Sequence, residues 1–400
     1  MEAPAEVPCV AVGVPLPQAA GGGPMNGFRL GSVLGFEIRL DYSWFVIFFL
    51  ILWSLSAGLF PASLPGLSPV GYVVMGTVAT ILFFASLVAH ELSHSVVARS
   101  KGIPVEGITL FIFGGMARTS VEAEQPGDEL LIAGVGPLMS LALAALFYGI
   151  AVLATRMGWG APTRAIAGYL SFINLLLAAF NLLPGFPLDG GRLFRALAWK
   201  YTGDLTKATR WASTGGRWLG YALIAFGFVE AFTGRVLGGL WLVFIGWFLR
   251  GAAEMTFRQH LLTRVLAGVT AREVMTPDPE TVPRDLTVQQ LVDEHFLQRR
   301  FQAFPVMEDG RVSGLVTLDQ VKRLPRDRWA GMRVWQIMAP EEARIVVGPD
   351  EPMTAVVEKM RDSGTGRVLV VRGGRLLGII SGSDVTEWAR RTHELGGIGR

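Results

Sequence analysis

The chain has 400 residues, of which 51% are hydrophobic and only 17% charged, with a formal net charge of +3. Soluble domains usually carry about 25% charge, so an ordinary water-soluble enzyme is excluded, and basic residues placed beside apolar runs speak of membrane orientation, not of a nucleic-acid partner. A single cysteine, Cys9, excludes a disulfide framework and a cysteine metal cluster.

Residues 1–27 are rich in Gly, Pro and Ala, lack the charged and apolar regions of a signal peptide, and read as a disordered tail. Residues 28–255 read as a polytopic α-helical membrane domain with about six spans, at 42–59, 71–99, 130–153, 165–183, 218–232 and 236–249. The last two are shorter than the roughly 20 residues of a simple span, so neighbours such as Trp211 and Ala252 are expected to complete them. Residues 105–118 are too short to span as a helix. Their β-branched and aromatic run, broken at Gly114 and Gly115, reads as a membrane-associated β hairpin, and residues 33–42 alternate like a strand. Arg29, Arg39, Arg99, Lys101, Arg118, Arg192, Arg195, Lys200, Lys207, Arg210, Arg250, Arg258 and Arg264 fall on one side of this topology, against Arg156, Arg164 and Arg235 on the other. Both termini are therefore expected in the cytoplasm, on a multi-pass protein of the cell membrane.

Residues 256–268 read as a linker, 269–390 as a soluble α/β domain and 391–400 as a tail. Val274-Met275-Thr276-Pro277 recurs as Ile337-Met338-Ala339-Pro340. Each copy is followed by a helical pattern and two strand patterns, so the domain is expected to be a pseudo-dimer of repeats at about 269–328 and 332–390.

Two of the five histidines lie in His90-Glu91-Leu92-Ser93-His94, inside an apolar run. On a helix, positions i and i+4 share a face, so both imidazoles can bind one metal while Glu91 polarises its water. Ionisable groups within a membrane are costly and usually functional; a polar helix end at the surface is the bland alternative. A catalytic zinc takes three protein ligands and keeps one position open. Asp189, in Asn181-Leu-Leu-Pro184-Gly-Phe-Pro187-Leu-Asp189-Gly190-Gly191, falls by the loop charges on the same side as His94 and is the candidate third ligand. Leu-Asp-Gly-Gly is also good turn chemistry, and that is the competing reading.

The His90–His94 motif, taken with Asn181-x-x-Pro184 and Leu188-Asp189-Gly190, resembles the site-2 protease family over roughly residues 28–255. The resemblance implies an intramembrane zinc metalloprotease acting on single-pass membrane proteins such as membrane-bound transcription regulators or anti-sigma factors. It implies one Zn2+ per chain on His90, His94 and Asp189, Glu91 as catalytic base, and Asn181 as an oxyanion or substrate-positioning residue. Gly136-Pro137 also resembles a family feature, beside the plain reading of a helix kink. A substrate helix must unwind before it is cut, and the hairpin edge offers strand addition as the means of capture.

The repeat resembles a tandem pair of CBS domains, and site-2 proteases carrying such a pair form a subgroup. In nucleotide-binding CBS domains a Gly-x-x-Ser/Thr-x-x-Asp stretch contacts ribose and phosphate. The second repeat has Gly378, Ser381 and Asp384; the first has Gly314 and Thr317 but Gln320 in the third place. The resemblance implies an adenine nucleotide at the pair and a homodimer through it, with a ligand-free scaffold as the alternative. A CBS-regulated membrane transporter or channel is the rival for the whole chain. Glu91 discriminates, because a transport site needs no general base beside two i, i+4 histidines.

Overall fold

The computed structural model describes residues 27–112, 114–119, 123–340 and 345–394; of the expected tails at 1–27 and 391–400, residues 1–26 and 395–400 lie outside the described residues. Two compact units divide the described chain between His260 and Leu261.

The first unit opens with strands β1 (Gly27–Val33) and β2 (Phe36–Asp41). In β2, Phe36, Ile38 and Leu40 point inward, as period-two alternation requires. Asp41 then caps helix α1 (Tyr42–Ser54), its carboxylate accepting the Ser43 N–H at 2.9 Å. Helix α2 (Pro69–Ser100) starts at a Ser68 cap with Pro69 in its first turn and carries the histidine motif. Strands β3 (Val105–Phe111) and β4 (Gly114–Thr119) form the expected hairpin. It does not stand alone: β3 pairs in parallel with β2, giving a four-stranded sheet of order β1–β2–β3–β4. Parallel pairing needs a long crossover, here supplied by α1 and α2. Leu40, Ile108 and Leu110 of the sheet pack on Phe84 and Leu87 of α2.

Helices α3 (Pro126–Arg156), α4 (Ala161–Asn181), α5 (Asp189–Thr202), α6 (Leu205–Phe232) and α7 (Val236–Leu266) complete the bundle. Among the described residues, five helical stretches are long and apolar enough to cross a membrane: 42–63, 69–100, 126–156, 161–181 and 236–266. The fifth run read from sequence belongs to α6, which has 28 residues but includes Lys207, Arg210, Arg217 and Glu230 and so falls outside the five. Reciprocal glycines join α6 to α7: a Cβ on Gly220 would lie 2.7 Å from the Gly246 carbonyl, and one on Gly227 2.6 Å from that of Gly239. Small residues seven apart on each helix let the backbones touch, the usual basis of close packing in lipid. Phe49, Trp53, Phe172 and Phe232 stand exposed on the bundle, an apolar surface suited to lipid and not to water. The chain is a multi-pass membrane protein. The stretch read as a linker from 256 is the continuation of α7, which runs unbroken to Leu266.

Among the described residues, the second unit holds eight short strands: β5 (Thr276–Pro277), β6 (Val282–Pro283), β7 (Ala303–Glu308), β8 (Arg311–Thr317), β9 (Ala339–Pro340), β10 (Val346–Val347), β11 (Arg367–Arg372) and β12 (Arg375–Ser381). They form two sheets, β6–β7–β8–β9 and β10–β11–β12–β5. The repeats exchange strands, since the Met-Thr-Pro strand of the first closes the sheet of the second and the converse. Glycine is needed where the exchanged strand passes: a Cβ on Gly314 would meet the Ala339 carbonyl at 2.4 Å, and one on Gly378 the Thr276 carbonyl at 2.8 Å. The last helix, α8 (Gly382–Glu394), takes in the first residues of the expected C-terminal tail.

Candidate active site

Helical spacing places His90 and His94 on one face of α2, their side chains 2% and 8% exposed. Each ring is held by its Nδ1. His94 Nδ1 faces the Ile132 carbonyl and His90 Nδ1 lies 2.8 Å from Ser140 Oγ, both on α3. A carbonyl only accepts, so the His94 hydrogen is on Nδ1 and the lone pair on Nε2. The Ser140 hydroxyl can accept in the same way from His90. Pro137 cannot donate to Ala133, which loosens this turn of α3, and the Ile132 carbonyl in the same turn is the one His94 uses.

Asp189 is the first residue of α5 and arrives from the loop after α4. That loop is pressed against α6, where the Phe186 N–H donates to the Ala212 carbonyl at 3.2 Å. A Cβ on Gly216 would lie 2.0 Å from the Phe186 carbonyl oxygen, and one on Gly190 2.3 Å from that of Leu182. Only glycine fits at these positions, and the tight wrap turns Asp189 toward α2.

The result is a triangle. Asp189 Oδ2 lies 3.1 Å from His90 Nε2 and 3.2 Å from His94 Nε2, and the two Nε2 atoms are 3.2 Å apart. Zinc bonds of about 2.0–2.1 Å in tetrahedral geometry put neighbouring ligand atoms about 3.3 Å apart. Three lone pairs this close in a buried site repel one another unless a proton or a metal ion lies among them. Two imidazoles and a carboxylate form a donor set that zinc accepts, with one position left over; the residues present fit the ion.

Gly136 closes one side of the triangle: a Cβ there would lie 2.1 Å from His94 Nε2 and 2.7 Å from His90 Nε2. Glu91 lies on the sheet side, under β4, where a Cβ on Gly115 would meet its Cγ at 2.4 Å. Beyond the centre, buried Glu129 of α3 receives the Arg195 Nε–H of α5 at 2.7 Å. Breaking a buried pair from one side costs about 3–5 kcal/mol.

The sequence-derived residues divide clearly. His90, His94 and Asp189 meet, and Glu91 adjoins them. Asn181 ends α4 half-buried, and among the described residues it makes no hydrogen bond to the three. Ser140, the Ile132 carbonyl, Gly215–Gly216 and the Glu129–Arg195 pair were missed. Their available signals were the Gly215–Gly216 doublet and the two charges at the margins of apolar runs. In the second unit, Asp384 accepts from Thr276 Oγ1 at 3.0 Å and from the Ser381 N–H at 2.7 Å, with Gly378 beneath β5. Thr317 is instead tied to Gln320, its N–H donating to Oε1 at 2.7 Å.

Residues 78–162 and 154–223 match peptidase family M50, and residues 271–327 and 334–391 match the CBS domain. The chain is similar to Rip3 of Mycobacterium tuberculosis, with 39% identity over 90% of this chain and 92% of the relative. Zinc metalloprotease MJ0392 of Methanocaldococcus jannaschii is 30% identical over 89% of this chain and 94% of the relative. Among solved structures, the Site-2 Protease from Methanocaldococcus jannaschii aligns over 58% of this chain and 95% of its own, at 29% identity and a TM-score of 0.42.

Outer hydrogen bonds to metal-binding histidines typically carry 10- to 100-fold in affinity. Ser140→Ala is therefore expected to weaken zinc binding by about that factor, and Gly136→Ala to abolish it in protein that still folds. Chelator competition on purified protein checks both; a Ser140→Ala variant that binds zinc as wild type does would remove Ser140 from the centre.

Proposed function

The chain belongs to peptidase family M50, and from that premise we propose that it hydrolyses peptide bonds in or near transmembrane segments of single-pass membrane regulatory proteins. It is a zinc metalloprotease with a CBS pair. The observation that carries the reading is the triangle of His90, His94 and Asp189 with Glu91 beside it.

His90, His94 and Asp189 would hold one zinc ion, which supplies Lewis acidity toward water and a carbonyl oxygen. Glu91 stands next to the ligands without being one. Its carboxylate takes a proton from the attacking water and returns it to the leaving amine. Asn181 would donate its side-chain N–H to the scissile carbonyl oxygen as charge develops there. The substrate helix has to unwind, because its peptide bonds are closed in i to i+4 hydrogen bonds. Strand β4 is an edge of its sheet, so its outer backbone groups are open to strand addition. The contact of Gly115 with Glu91 supports this path, since an extended segment laid along β4 would run past the base.

The Lys and Arg asymmetry supports a cytoplasmic location for both termini and for the zinc side of the bundle. In the CBS pair, the Thr276–Ser381–Asp384 cluster supports one adenine nucleotide per chain, at the second repeat, with binding there modulating proteolysis. Gln320 supplies no carboxylate at the first. The pair is also the proposed contact of a homodimer.

Glu91→Gln is expected to keep zinc and lose proteolysis, and Asp189→Ala to lose both. Metal content and cleavage of a candidate membrane substrate are to be measured on the same samples, and near wild-type cleavage by Glu91→Gln would sink the base assignment. Reporter fusions after Arg264 and within residues 60–70 should report opposite sides of the membrane; a shared side refutes the topology. Calorimetric titration with AMP or ATP should give one site per chain, lost in Asp384→Ala. Two equivalent sites, or undiminished binding by the variant, would contradict the assignment to the second repeat.

A further inference from the structure

One stripe of α3 carries Glu129, Ile132, Gly136 and Ser140, at spacings of three and four that keep them on a single helix face. The last three touch the histidines directly. Glu129 reaches α5 instead. Its side chain is 1% exposed and that of Arg195 7%, and two guanidinium nitrogens of Arg195 converge on Glu129 Oε1. Charges this deeply buried are costly to keep, and the reaction gives them no chemical task.

Their place on the two helices suggests one. Along α3 the ion pair lies seven residues before Gly136, about 10 Å at the helical rise. Along α5 it lies six residues after Asp189, about 9 Å. Helices α3 and α5 pack along their length, and Asp189 and the ion pair mark the two ends of the first turns of α5. Packed apolar side chains tolerate small changes in the angle between two helices, which a buried charge pair of fixed geometry restricts. A pivot of about 10° about the ion pair would carry the Asp189 carboxylate about 1.6 Å, well beyond the about 0.5 Å that a preorganised site tolerates. The neighbouring Asp128 makes a lesser contact of the same kind, meeting Lys101 at the end of α2 at 2.9 Å on half-exposed surface. The first turn of α3 thus holds both ligand-bearing helices.

We propose that the buried Glu129–Arg195 ion pair is a positioning device for the third zinc ligand, fixing the angle of α5 on α3 so that Asp189 meets His90 and His94. This rests on the reading of those three residues as the metal centre. The charge pair holds one register of the two helices, where apolar contact alone would permit several.

The test uses the full-length protein in detergent, with zinc affinity by chelator competition, melting temperature and substrate cleavage measured together. Glu129→Gln is expected to bind zinc 10- to 100-fold more weakly. Because removing one partner destabilises the fold, Glu129→Met/Arg195→Met is made as well. It fills similar space without charge, and such replacements often keep or raise stability. The proposal expects this variant to melt at or above the wild-type temperature, yet still to bind zinc 10- to 100-fold more weakly and to cleave with reduced kcat. Wild-type zinc affinity in either folded variant overturns the proposal. So does unfolding of both, which would make the pair a structural contact alone. Wild-type protein that binds no zinc would instead overturn the metal-centre reading itself.

Discussion

Three lone-pair atoms, His90 Nε2, His94 Nε2 and Asp189 Oδ2, are held 3.1–3.2 Å apart in a buried site, and their mutual repulsion is the constraint on which the rest of the membrane unit depends. A chain would relax such a cluster unless every approach were enforced. Helical spacing sets the two imidazoles side by side, and α3 fixes their rotation, the Ile132 carbonyl taking the His94 Nδ1 hydrogen and Ser140 Oγ standing 2.8 Å from His90 Nδ1. Glycines at 185, 190, 191, 215 and 216 let a loop pass where any side chain would collide, and that loop delivers the carboxylate. The scaffold holds together a donor set of two imidazoles and a carboxylate that fits zinc.

The sheet answers a different demand. Peptide bonds inside a membrane helix are protected by their own hydrogen bonds, and lipid offers no water to replace them. A protease working there needs a surface that hydrogen-bonds to an extended chain, and a sheet edge is such a surface. The order β1–β2–β3–β4 leaves β4 at the margin, while Leu40 of β2 with Ile108 and Leu110 of β3 anchors the sheet to α2. Gly115 lets this edge lie against Glu91 without a side chain between them. Glu91 and the sheet edge are thus parts of one contact.

The most local features were the most legible. His90, Glu91 and His94 were readable because the i, i+4 rule turns spacing directly into geometry, and the repeat because its Met-Thr-Pro and Met-Ala-Pro segments are printed twice. Asp189 took an argument about sides of the membrane together with a family resemblance, since Leu-Asp-Gly-Gly alone reads as a turn. Other features had no residue-type signature. The acceptor for His94 is a backbone carbonyl, which any residue at 132 would supply. The parallel pairing of β2 with β3 joins segments some 70 residues apart across two helices, and no local pattern announces it. The strand exchange in the CBS pair was hidden for the same reason, because each repeat looks self-contained until Gly314 and Gly378 are seen to make room for the other's strand. Helix α6 was underestimated at its N-terminal side, where Lys207, Arg210 and Arg217 break the apolar run while the helix itself begins at Leu205.

The most direct test of the account is X-ray absorption at the zinc K-edge of the purified full-length protein. One zinc per chain is expected, with two imidazole nitrogens and oxygen ligands at about 2.0–2.1 Å, and no sulfur. A first shell with a single imidazole, or with sulfur at about 2.3 Å, would contradict the centre built from His90, His94 and Asp189.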